Sequence, residues 1–214
     1  MENNHAKAAP LLRVDKLSKV YRSYSFRSVF KRNLTFRLEA DFEIAEPRIV
    51  GVMGPNGSGK TTLFELITGS NQPSTGKVYC AGKNIHNVRY NERDRLAIHY
   101  HQSYQVRHFR RTKPAFLMQR ANNDYPLLHL FDEPQLNTQD GYIGFMLDFF
   151  RRLRRENRLV FLCLHPNEAF HLEILQELCE QFIFVQQGQL RHAADYNTLI
   201  GMPEVRTYLG ELLY

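Results

Sequence analysis

The most constraining feature of this sequence is a glycine-rich run that begins at Gly54 and ends at Thr62. It reads GPNGSGKTT and fits the phosphate-binding pattern G-x-x-x-x-G-K-[ST]. Glycines let backbone N–H groups turn toward a phosphate, because no Cβ obstructs them. Residues 48–53 precede the run as a buried strand would, and residues 63–67 follow it as a helix. The residues predicted to bind a nucleotide are Gly54, Asn56, Gly57, Ser58, Gly59, Lys60, Thr61 and Thr62.

Two side chains in this run carry specific chemistry. Lys60 can reach the β- and γ-phosphates of a nucleoside triphosphate, and the Thr61 hydroxyl can bind Mg²⁺. The helix that starts here directs the positive end of its dipole at the same anion. An ordinary glycine-rich turn is the alternative, but the flanking strand and helix favour a nucleotide site.

The composition limits the class of protein. The 214 residues are most simply one domain, which is large enough for a substantial core. The cysteines Cys80, Cys163 and Cys179 lack metal-site spacing, and Cys163 lies in an apolar segment typical of a reduced core thiol. No apolar run approaches the length that spans a bilayer, and the first residues lack a signal-peptide core, so we expect a cytoplasmic protein. The net charge of +6 permits nucleic acid, an anionic membrane surface or an acidic partner.

The order of elements predicts an α/β fold. Residues 11–14 and 19–22 are predicted as two short strands around a turn. Residues 35–44 alternate apolar and charged side chains, as a half-buried strand does. The later elements are predicted as strand 127–131, helix 141–157, strand 159–164, helix 167–180 and strand 182–186. This alternation indicates a mainly parallel core sheet flanked by helices, with an N-terminal antiparallel portion and a phosphate site at the carboxyl ends of the parallel strands.

Two carboxylates follow the apolar strand 127–131. Asp132 is placed to hold Mg²⁺, directly or through water, beside Thr61. Glu133 can polarise the water that attacks the γ-phosphate. The alternative is a surface Asp-Glu turn that Pro134 ends, which would be the better interpretation in a chain without a phosphate loop.

Three further positions are candidates, each with an alternative. His165 ends an apolar strand and can contact the γ-phosphate or orient water, unless it only bonds a nearby backbone group. Gln102 can ligate Mg²⁺ or sense the nucleotide, although Gln105 competes for this role and a plain surface glutamine is also compatible. The ring of Tyr21 can stack on adenine, with Tyr24 as its rival and core packing as the alternative.

Together these features resemble the ATP-binding subunits of ABC transporters. The motifs GPNGSGKTT and LLHLFDEP carry the resemblance, together with the opening strand LSKVY that contains Tyr21. The segment CEQFIFVQQG resembles the family's late strand and turn, and PEVRTYLGE resembles the tail of the lipopolysaccharide-export and branched-chain amino-acid branches. The resemblance covers nearly the whole chain. It implies ATP and Mg²⁺ as cofactors, Glu133 and His165 as catalytic residues, and Thr61, Asp132 and Gln102 around the metal.

The chain departs from the family in its middle. The family's LSGGQ signature is absent between Gln102 and Asp132, a stretch that is far longer in family members and forms a helical subdomain. Residues 102–126 are therefore predicted as a shortened helical segment within a single domain, whose nucleotide-binding core is residues 1–101 and 127–214. Residues 135–140, QLNTQD, also replace the family's TSGLD.

The missing signature changes the expected partner. In the family, two subunits pair head to tail, and each signature caps the nucleotide that the other subunit holds. A homodimer of this chain would have two incomplete sites, whereas a subunit that keeps its signature would complete the site described above. The resemblance therefore implies a second, different ATP-binding subunit, and hydrolysis that depends on it.

Two clusters of basic side chains each have two interpretations. The first is Arg107, Arg110, Arg111 and Lys113 in the shortened segment. It either supplies charge to a phosphate across an interface or is a solvated loop. The second is Arg151, Arg152, Arg154, Arg155 and Arg158 at the end of the predicted helix 141–157. It either forms a solvated face at a helix C-terminus or contacts anionic lipid headgroups.

Three functions follow in order of support. The first is an ATP-binding subunit that is peripheral at the cytoplasmic face of a membrane and docks on an integral membrane subunit. The second is an ATP-binding switch or scaffold of a membrane-associated complex with little hydrolysis. The third is a nucleic-acid-associated ATPase, which the basic charge allows, but the sequence has no coiled-coil arm or zinc site, so no nucleic acid is expected as a partner.

Overall fold

The computed structural model describes residues 9–24, 32–100, 126–134, 136 and 142–213. Its strands are β1 (Leu12–Tyr24), β2 (Arg32–Ile44), β3 (Ile49–Met53), β4 (Thr75–Cys80), β5 (Lys83–Asn84), β6 (Ala97–Tyr100), β7 (Leu128–Asp132), β8 (Leu159–Cys163), β9 (Gln181–Gln186) and β10 (Gln189–Ala193). Its helices are α1 (Lys60–Ile67), α2 (Tyr90–Leu96), α3 (Tyr142–Arg155), α4 (Ala169–Leu178), α5 (Tyr196–Gly201) and α6 (Pro203–Leu209), followed by a 3₁₀ turn, Gly210–Leu213.

The strands form two sheets, as the α/β prediction requires. The larger sheet has the order β10-β9-β3-β8-β7-β6, and all its neighbours are parallel except β10, which pairs antiparallel with β9. The smaller sheet has the order β2-β1-β4-β5 and is antiparallel. The mainly parallel core sheet and the N-terminal antiparallel portion are therefore confirmed.

The prediction of two short strands at 11–14 and 19–22 is wrong, because β1 is one continuous strand. Its pairing with β2 shifts register between Val14 and Leu17, and Lys16 has a φ of 43°. The polar residues Asp15 and Lys16 thus form a bulge, not a turn. Gly76 allows β4 to pass this bulge, since a Cβ on it would lie 2.3 Å from the Lys16 carbonyl oxygen.

The central strands are apolar because both faces of the parallel sheet are covered. Every residue of β3, β7 and β8 is buried. On one face, α1 and the smaller sheet enclose a cluster that includes Leu63, Phe64, Val50 and Val52. On the other face, helices α3 to α6 enclose a second cluster, in which α3 contributes Met146, Phe149, Phe150 and Leu153 at helical spacing. Sequence reasoning assigned no element to α2, which leads into β6.

Three arginines at the basic end of α3 pair with neighbouring carboxylates. Arg151 pairs with Asp148 and Glu177, and Arg152 pairs with Glu156. Arg154 Nε lies 2.8 Å from Glu180. These ion pairs favour the interpretation of a solvated face over contact with lipid headgroups for Arg151, Arg152 and Arg154, because these three already have anionic partners. Among the residues that the structure describes, no helix is long and apolar enough to cross a membrane.

Candidate functional site

The phosphate loop joins the end of β3 to the start of α1, as predicted. Its glycines have positive φ angles of 149° at Gly54, 74° at Gly57 and 111° at Gly59. A Cβ on Gly54 would lie 2.0 Å from the Val185 carbonyl oxygen, and one on Gly59 would lie 2.8 Å from Phe36 Cζ. The shape of the loop therefore depends on glycine at both ends.

The turn between β9 and β10 ties this loop to β2. The Gly188 N–H donates to the Ser58 carbonyl at 2.9 Å, and the Gly188 carbonyl accepts from the Glu39 N–H at 2.8 Å. Gly188 has a φ of 77°, and a Cβ on it would lie 1.8 Å from the Arg37 carbonyl oxygen. The approach of these backbones leaves no room for a side chain at Gly188.

Two polar side chains are buried in the loop. Lys60 is 6% exposed, and its Nζ donates to the carbonyl oxygens of Gly54 at 2.7 Å and Pro55 at 3.0 Å. Ser58 is 3% exposed, and its Oγ has no hydrogen-bond partner among the described residues. An unsatisfied buried hydroxyl costs free energy. The Ser58 hydroxyl is therefore available to donate a hydrogen bond to an anionic oxygen bound in the loop.

Asp132 lies beside the phosphate loop and contacts the side chain of Thr61. Its Oδ2 accepts a hydrogen bond from Thr61 Oγ1 at 2.8 Å and lies 3.4 Å from His99 Nε2. Burial opposes ionisation of Asp132, but hydrogen bonds from His99 and Thr61 outweigh it and hold the pKa of this carboxyl below its ordinary value. An ionised carboxylate and a hydroxyl side by side are oxygen donors of the type that Mg²⁺ binds.

Glu133 follows β7 in an unusual backbone conformation. Its φ is 50°, in the left-handed region that non-glycine residues rarely adopt, and its N–H donates to the Cys163 carbonyl at 3.0 Å. Strained residues of this kind cluster at functional sites. The side chain of Glu133 lines the same cleft as the phosphate loop.

His165 follows β8 and is exposed, and a side chain from the closing helix α6 holds it. Its Nδ1 lies 2.8 Å from Tyr208 Oη. Burial raises the pKa of Tyr208 to about 12, and the nearby Cys163 and Glu133 add to this effect, so the phenol stays protonated. His165 is thus oriented by a side chain, whereas the alternative considered from the sequence was a backbone partner.

The loop residues and Glu133 line one cleft of about 230 Å³. Its lining is Phe36, Asn56, Gly57, Ser58, Gly59, Lys60, Thr61, Thr62 and Glu133. Complete small-molecule pockets measure roughly 300–1,000 Å³, so this volume suits the phosphate portion of a nucleotide. The cradle that a Cβ would fill, the unsatisfied Ser58 hydroxyl and the Thr61–Asp132 pair together fit a polyphosphate with a divalent cation.

Tyr21 lies outside the lining of this cleft, and Phe36 separates it from the loop. The two rings are 6.2 Å apart, and Tyr21 is 37% exposed. Its Oη accepts from Asn71 Nδ2 at 2.9 Å, and Lys19 Nζ lies 5.2 Å from the ring centre. Adenine stacking on Tyr21 stays a prediction, and the side chain of its rival Tyr24 is outside the described part of the chain.

Several predicted residues fall on segments that the structure does not describe. Gln102, Gln105 and the first basic cluster belong to residues 101–125, and residues 135 and 137–141 are also outside the described ranges. The metal-binding role of Gln102 and the shortened helical segment 102–126 therefore stay predictions.

Sequence reasoning missed three residues that the fold brings to the site. They are Phe36, His99 and Tyr208. A signal existed for Phe36, since it belongs to the alternating apolar side chains of residues 35–44, but its pairing with Tyr21 is seen only in the structure. His99 and Tyr208 reach the site through contacts between elements that are distant in the sequence.

Comparison with known proteins relates the chain to one family. A model of the ABC transporter family matches residues 38–157, more than half of the chain. The ATP-binding protein ChvD of Rhizobium radiobacter is 49% identical over 65 residues, which are 30% of this chain and 20% of that protein. The ABC transporter ATP-binding protein YxdL of Bacillus subtilis (strain 168) is 32% identical over 114 residues, 53% of this chain and 37% of that protein. The chain thus spans well under half the length of these relatives.

Solved structures agree in fold. A nucleotide-free ATP-binding cassette from an ABC transporter superposes with a TM-score of 0.64 at 16% identity, covering 95% of this chain and 98% of that one. A dimeric post-hydrolysis state of the ATP-binding cassette MJ0796, bound to ADP and Pi, superposes with a TM-score of 0.63 at 14% identity, covering 86% of this chain and 98% of that one. At these identities the likeness concerns the fold.

Proposed function

Because the chain belongs to the ABC transporter family, we propose that it is an ATP-binding subunit of a membrane ABC-type complex. It binds Mg²⁺-ATP in the cleft at the phosphate loop and hydrolyses ATP when a second subunit completes that site. Residues 1–101 and 127–214 are the nucleotide-binding core of a single domain in this proposal, and residues 102–126 are its shortened helical segment.

One observation carries the nucleotide site. The hydroxyl of Thr61, the first residue after the loop lysine, donates to the Asp132 carboxylate at 2.8 Å, while Glu133 lines the same cleft. The loop follows β3, the two carboxylates lie at the end of β7, and His165 follows β8. All of them therefore lie at the carboxyl edge of the parallel sheet. Ligands of open α/β sheets bind at this edge.

The roles of the side chains follow from their positions. Lys60 and the loop N–H groups bind and orient the phosphates, and Thr61 with Asp132 would hold Mg²⁺. The bound ion would neutralise charge on the phosphoryl group. Glu133 is placed to accept a proton from an attacking water molecule.

His165 completes this set of proposed catalytic side chains. Its exposed ring is oriented through Nδ1 by Tyr208, which leaves Nε2 for the phosphate or the water. Because Tyr208 lies on the closing helix, that helix has a part in placing a catalytic side chain.

The partner follows from what the sequence lacks. Lys60, Asp132, Glu133 and His165 are present, whereas the signature that would cap a partner's nucleotide is absent. We therefore favour pairing with a different ATP-binding subunit over a homodimer. An integral membrane subunit would supply the transport path, which places this chain at the cytoplasmic face of a membrane. One of the relatives described above, YxdL, is named as an ABC transporter ATP-binding protein.

An ATP-binding switch or scaffold with little hydrolysis is the second candidate. The short segment 102–126 favours it, because in the family this region contributes to the surface that docks on the membrane subunit. The two candidates share the nucleotide site and differ only in turnover within the assembled complex. Salt-sensitive DNA binding would instead support a nucleic-acid-associated ATPase.

The first experiment measures ATP binding and hydrolysis by the purified chain. We expect binding of Mg²⁺-ATP that Lys60→Ala abolishes, and hydrolysis orders of magnitude slower than in complete ABC complexes. Glu211→Gln, on the 3₁₀ turn after α6, is a matched control for Glu133→Gln. Fast hydrolysis by the chain alone that Glu133→Gln abolishes and Glu211→Gln does not would show that no partner is needed. Absence of ATP binding would overturn the proposed function itself.

The second experiment identifies the assembly. The tagged chain is copurified from native membranes in mild detergent, and its partners are identified by mass spectrometry. Recovery of an integral membrane protein with a signature-bearing ATP-binding protein, and an ATPase rate far above that of the chain alone, supports the leading proposal. An assembled complex whose rate stays at the level of the isolated chain, and does not change with Glu133→Gln, supports the switch.

A further inference from the structure

Three side chains from three different elements meet around one oxygen atom of Asp132. Thr61 Oγ1, at the start of α1, is 2.8 Å from Asp132 Oδ2, and His99 Nε2, on β6, is 3.4 Å from the same oxygen. Asp132 ends β7, the strand beside β6. The side chains of His99 and Asp132 are 11% and 6% exposed, so both groups are held inside the protein.

These separations are those of atoms that can share a metal ion. Metal–ligand distances of about 2.0–2.2 Å place neighbouring ligands about 3.0 Å apart in octahedral geometry and about 3.4 Å apart in tetrahedral geometry. A distance of 3.4 Å is long for a hydrogen bond between an imidazole and a carboxylate, which is typically near 2.8 Å. The hydrogen bond from His99 to Asp132 is thus a long one, and its length also suits two side chains that bind the same metal ion.

The ring of His99 is also fixed in orientation. It packs edge to face against Phe64 of α1, with ring centres 5.6 Å apart and an interplanar angle of 88°. His99 pairs with Leu130 in the register between β6 and β7, which puts its side chain on the same sheet face as that of Asp132. An imidazole that packing already holds loses little freedom when it binds a metal ion.

We propose that His99 is an additional ligand of the metal ion that Thr61 and Asp132 hold, so that this site contains one nitrogen donor. The inference rests on the proposed nucleotide function and names the metal chemistry of that site. Imidazole suits first-row transition metals, whereas Mg²⁺ prefers oxygen donors. The site should therefore bind Mn²⁺ more tightly relative to Mg²⁺ than the same site without the imidazole.

The test uses the full chain with Mn²⁺ and the non-hydrolysable ATP analogue AMP-PNP. Pulsed electron paramagnetic resonance detects ¹⁴N bound directly to Mn²⁺, and labelling of histidine with ¹⁵N assigns that nitrogen to an imidazole. We expect a directly bound histidine nitrogen in the wild type and its loss in His99→Phe, which keeps a ring beside Phe64. His99→Gln, which keeps a polar side chain, should lose the signal as well, so a folding defect of one variant does not decide the result.

A matched control is His192→Phe. His192 lies on β10, at the edge of the sheet opposite to β6, where its ring packs 5.2 Å from that of Phe42. The nitrogen signal should be unchanged in this variant. By competition, His99→Phe should weaken Mn²⁺ binding to the AMP-PNP complex about tenfold more than it weakens Mg²⁺ binding.

The outcomes separate the inference from the function on which it rests. Bound Mn²⁺ and AMP-PNP without a histidine nitrogen, or a nitrogen signal that persists in both His99 variants, overturns the inference and leaves the proposed function intact. Failure of the wild-type chain to bind Mn²⁺ and AMP-PNP at all overturns the proposed function and the inference with it.

Discussion

The two faces of the β6–β7 strand pair each bury a histidine, in contrasting surroundings. On the face toward α1, His99 lies beside the Asp132 carboxylate and the phosphate loop. On the opposite face, His129 is fully buried in a stack with Tyr100 and Phe131. The rings of Tyr100 and Phe131 are 4.3 Å apart and tilted by only 4°. Adjacent residues on one strand pair therefore serve a polar site and an aromatic core.

The two faces differ in whether their buried ionisable group is charged at neutral pH. Burial lowers the pKa of His129 to about 3, and the nearby Arg158 adds to this effect, so the imidazole is neutral at neutral pH. Burial also opposes ionisation of Asp132, but His99 and Thr61 donate hydrogen bonds that hold its pKa below the ordinary value. Of these two buried groups, only Asp132, whose neighbours donate hydrogen bonds that compensate for lost hydration, stays charged at neutral pH.

The largest effect that tests this contrast is acid destabilisation through His129. The unfolded chain binds a proton at this histidine near pH 6.5, whereas the folded chain does so only near pH 3. Between these values the unfolded state binds more protons, so the free energy of unfolding falls as the pH is lowered, by roughly 5 kcal/mol over the full range. Urea unfolding at pH 7 and pH 5 should show about 2 kcal/mol of this loss.

The control for this prediction is His129→Phe, which keeps a ring in the stack and removes the titrating group. Its free energy of unfolding should fall by about 2 kcal/mol less than that of the wild type between pH 7 and pH 5. Other groups titrate equally in both proteins, so the difference isolates His129. An identical pH dependence in the two proteins would show that His129 is not a neutral core residue.

On the polar face, Asp132→Asn removes the charge with little change of shape. We expect the Mg²⁺-dependent part of ATP affinity to fall about 100-fold, about 2.7 kcal/mol, because the carboxylate is the anionic donor of the proposed metal site. Binding of a fluorescent ATP analogue in Mg²⁺ measures the total affinity, and the same titration in EDTA measures the part that does not depend on Mg²⁺. The difference between them is the Mg²⁺-dependent part.

The matched control is Asp148→Asn, on the exposed side of α3, which should leave both parts unchanged. Equal affinities of the wild type and Asp132→Asn in Mg²⁺ would remove Asp132 from the metal site. A loss of affinity in EDTA that equals the loss in Mg²⁺ would mean that the substitution disturbs the loop instead of the metal.

The local features of the fold could be predicted from the sequence. The strand–loop–helix unit around Lys60 follows from a short glycine pattern, and the buried parallel strands follow from apolar runs such as Ile49–Met53 and Leu159–Cys163. The bulge at Lys16 could not be distinguished from a turn, because its stabilising partners on β2 and β4 lie far away in the sequence. Local propensity does not reveal which strand will pair across a polar residue.

The contacts of the site likewise include some that the sequence predicts and some that only the tertiary structure determines. The pairing of Thr61 with Asp132 could be anticipated, because their chemistry and their places at strand ends point to one ion. The approach of His99 to Asp132 depends on the register between β6 and β7, and the pairing of Arg154 with Glu180 depends on how α3 lies against the turn between α4 and β9. Such contacts are set by tertiary structure, so the sequence showed the residue types without their partners.

The smallest effect tests the hydrogen bond inside the aromatic face. Tyr100 Oη lies 3.1 Å from His129 Nδ1, and both residues are buried. Tyr100→Phe removes this bond but keeps the ring against Phe131, so we expect the free energy of unfolding at pH 7 to fall by about 1 kcal/mol. Urea unfolding of Tyr100→Phe, His129→Phe and the double variant forms a cycle.

In the His129→Phe background, the Tyr100 hydroxyl has lost this partner inside the core. Tyr100→Phe should then be neutral or stabilising, because it removes a buried polar group that has lost a hydrogen bond. The cycle should therefore give a coupling of about 1 kcal/mol between the two residues. Equal costs of Tyr100→Phe in both backgrounds would mean that ring stacking alone, without the hydrogen bond, keeps His129 on the aromatic face.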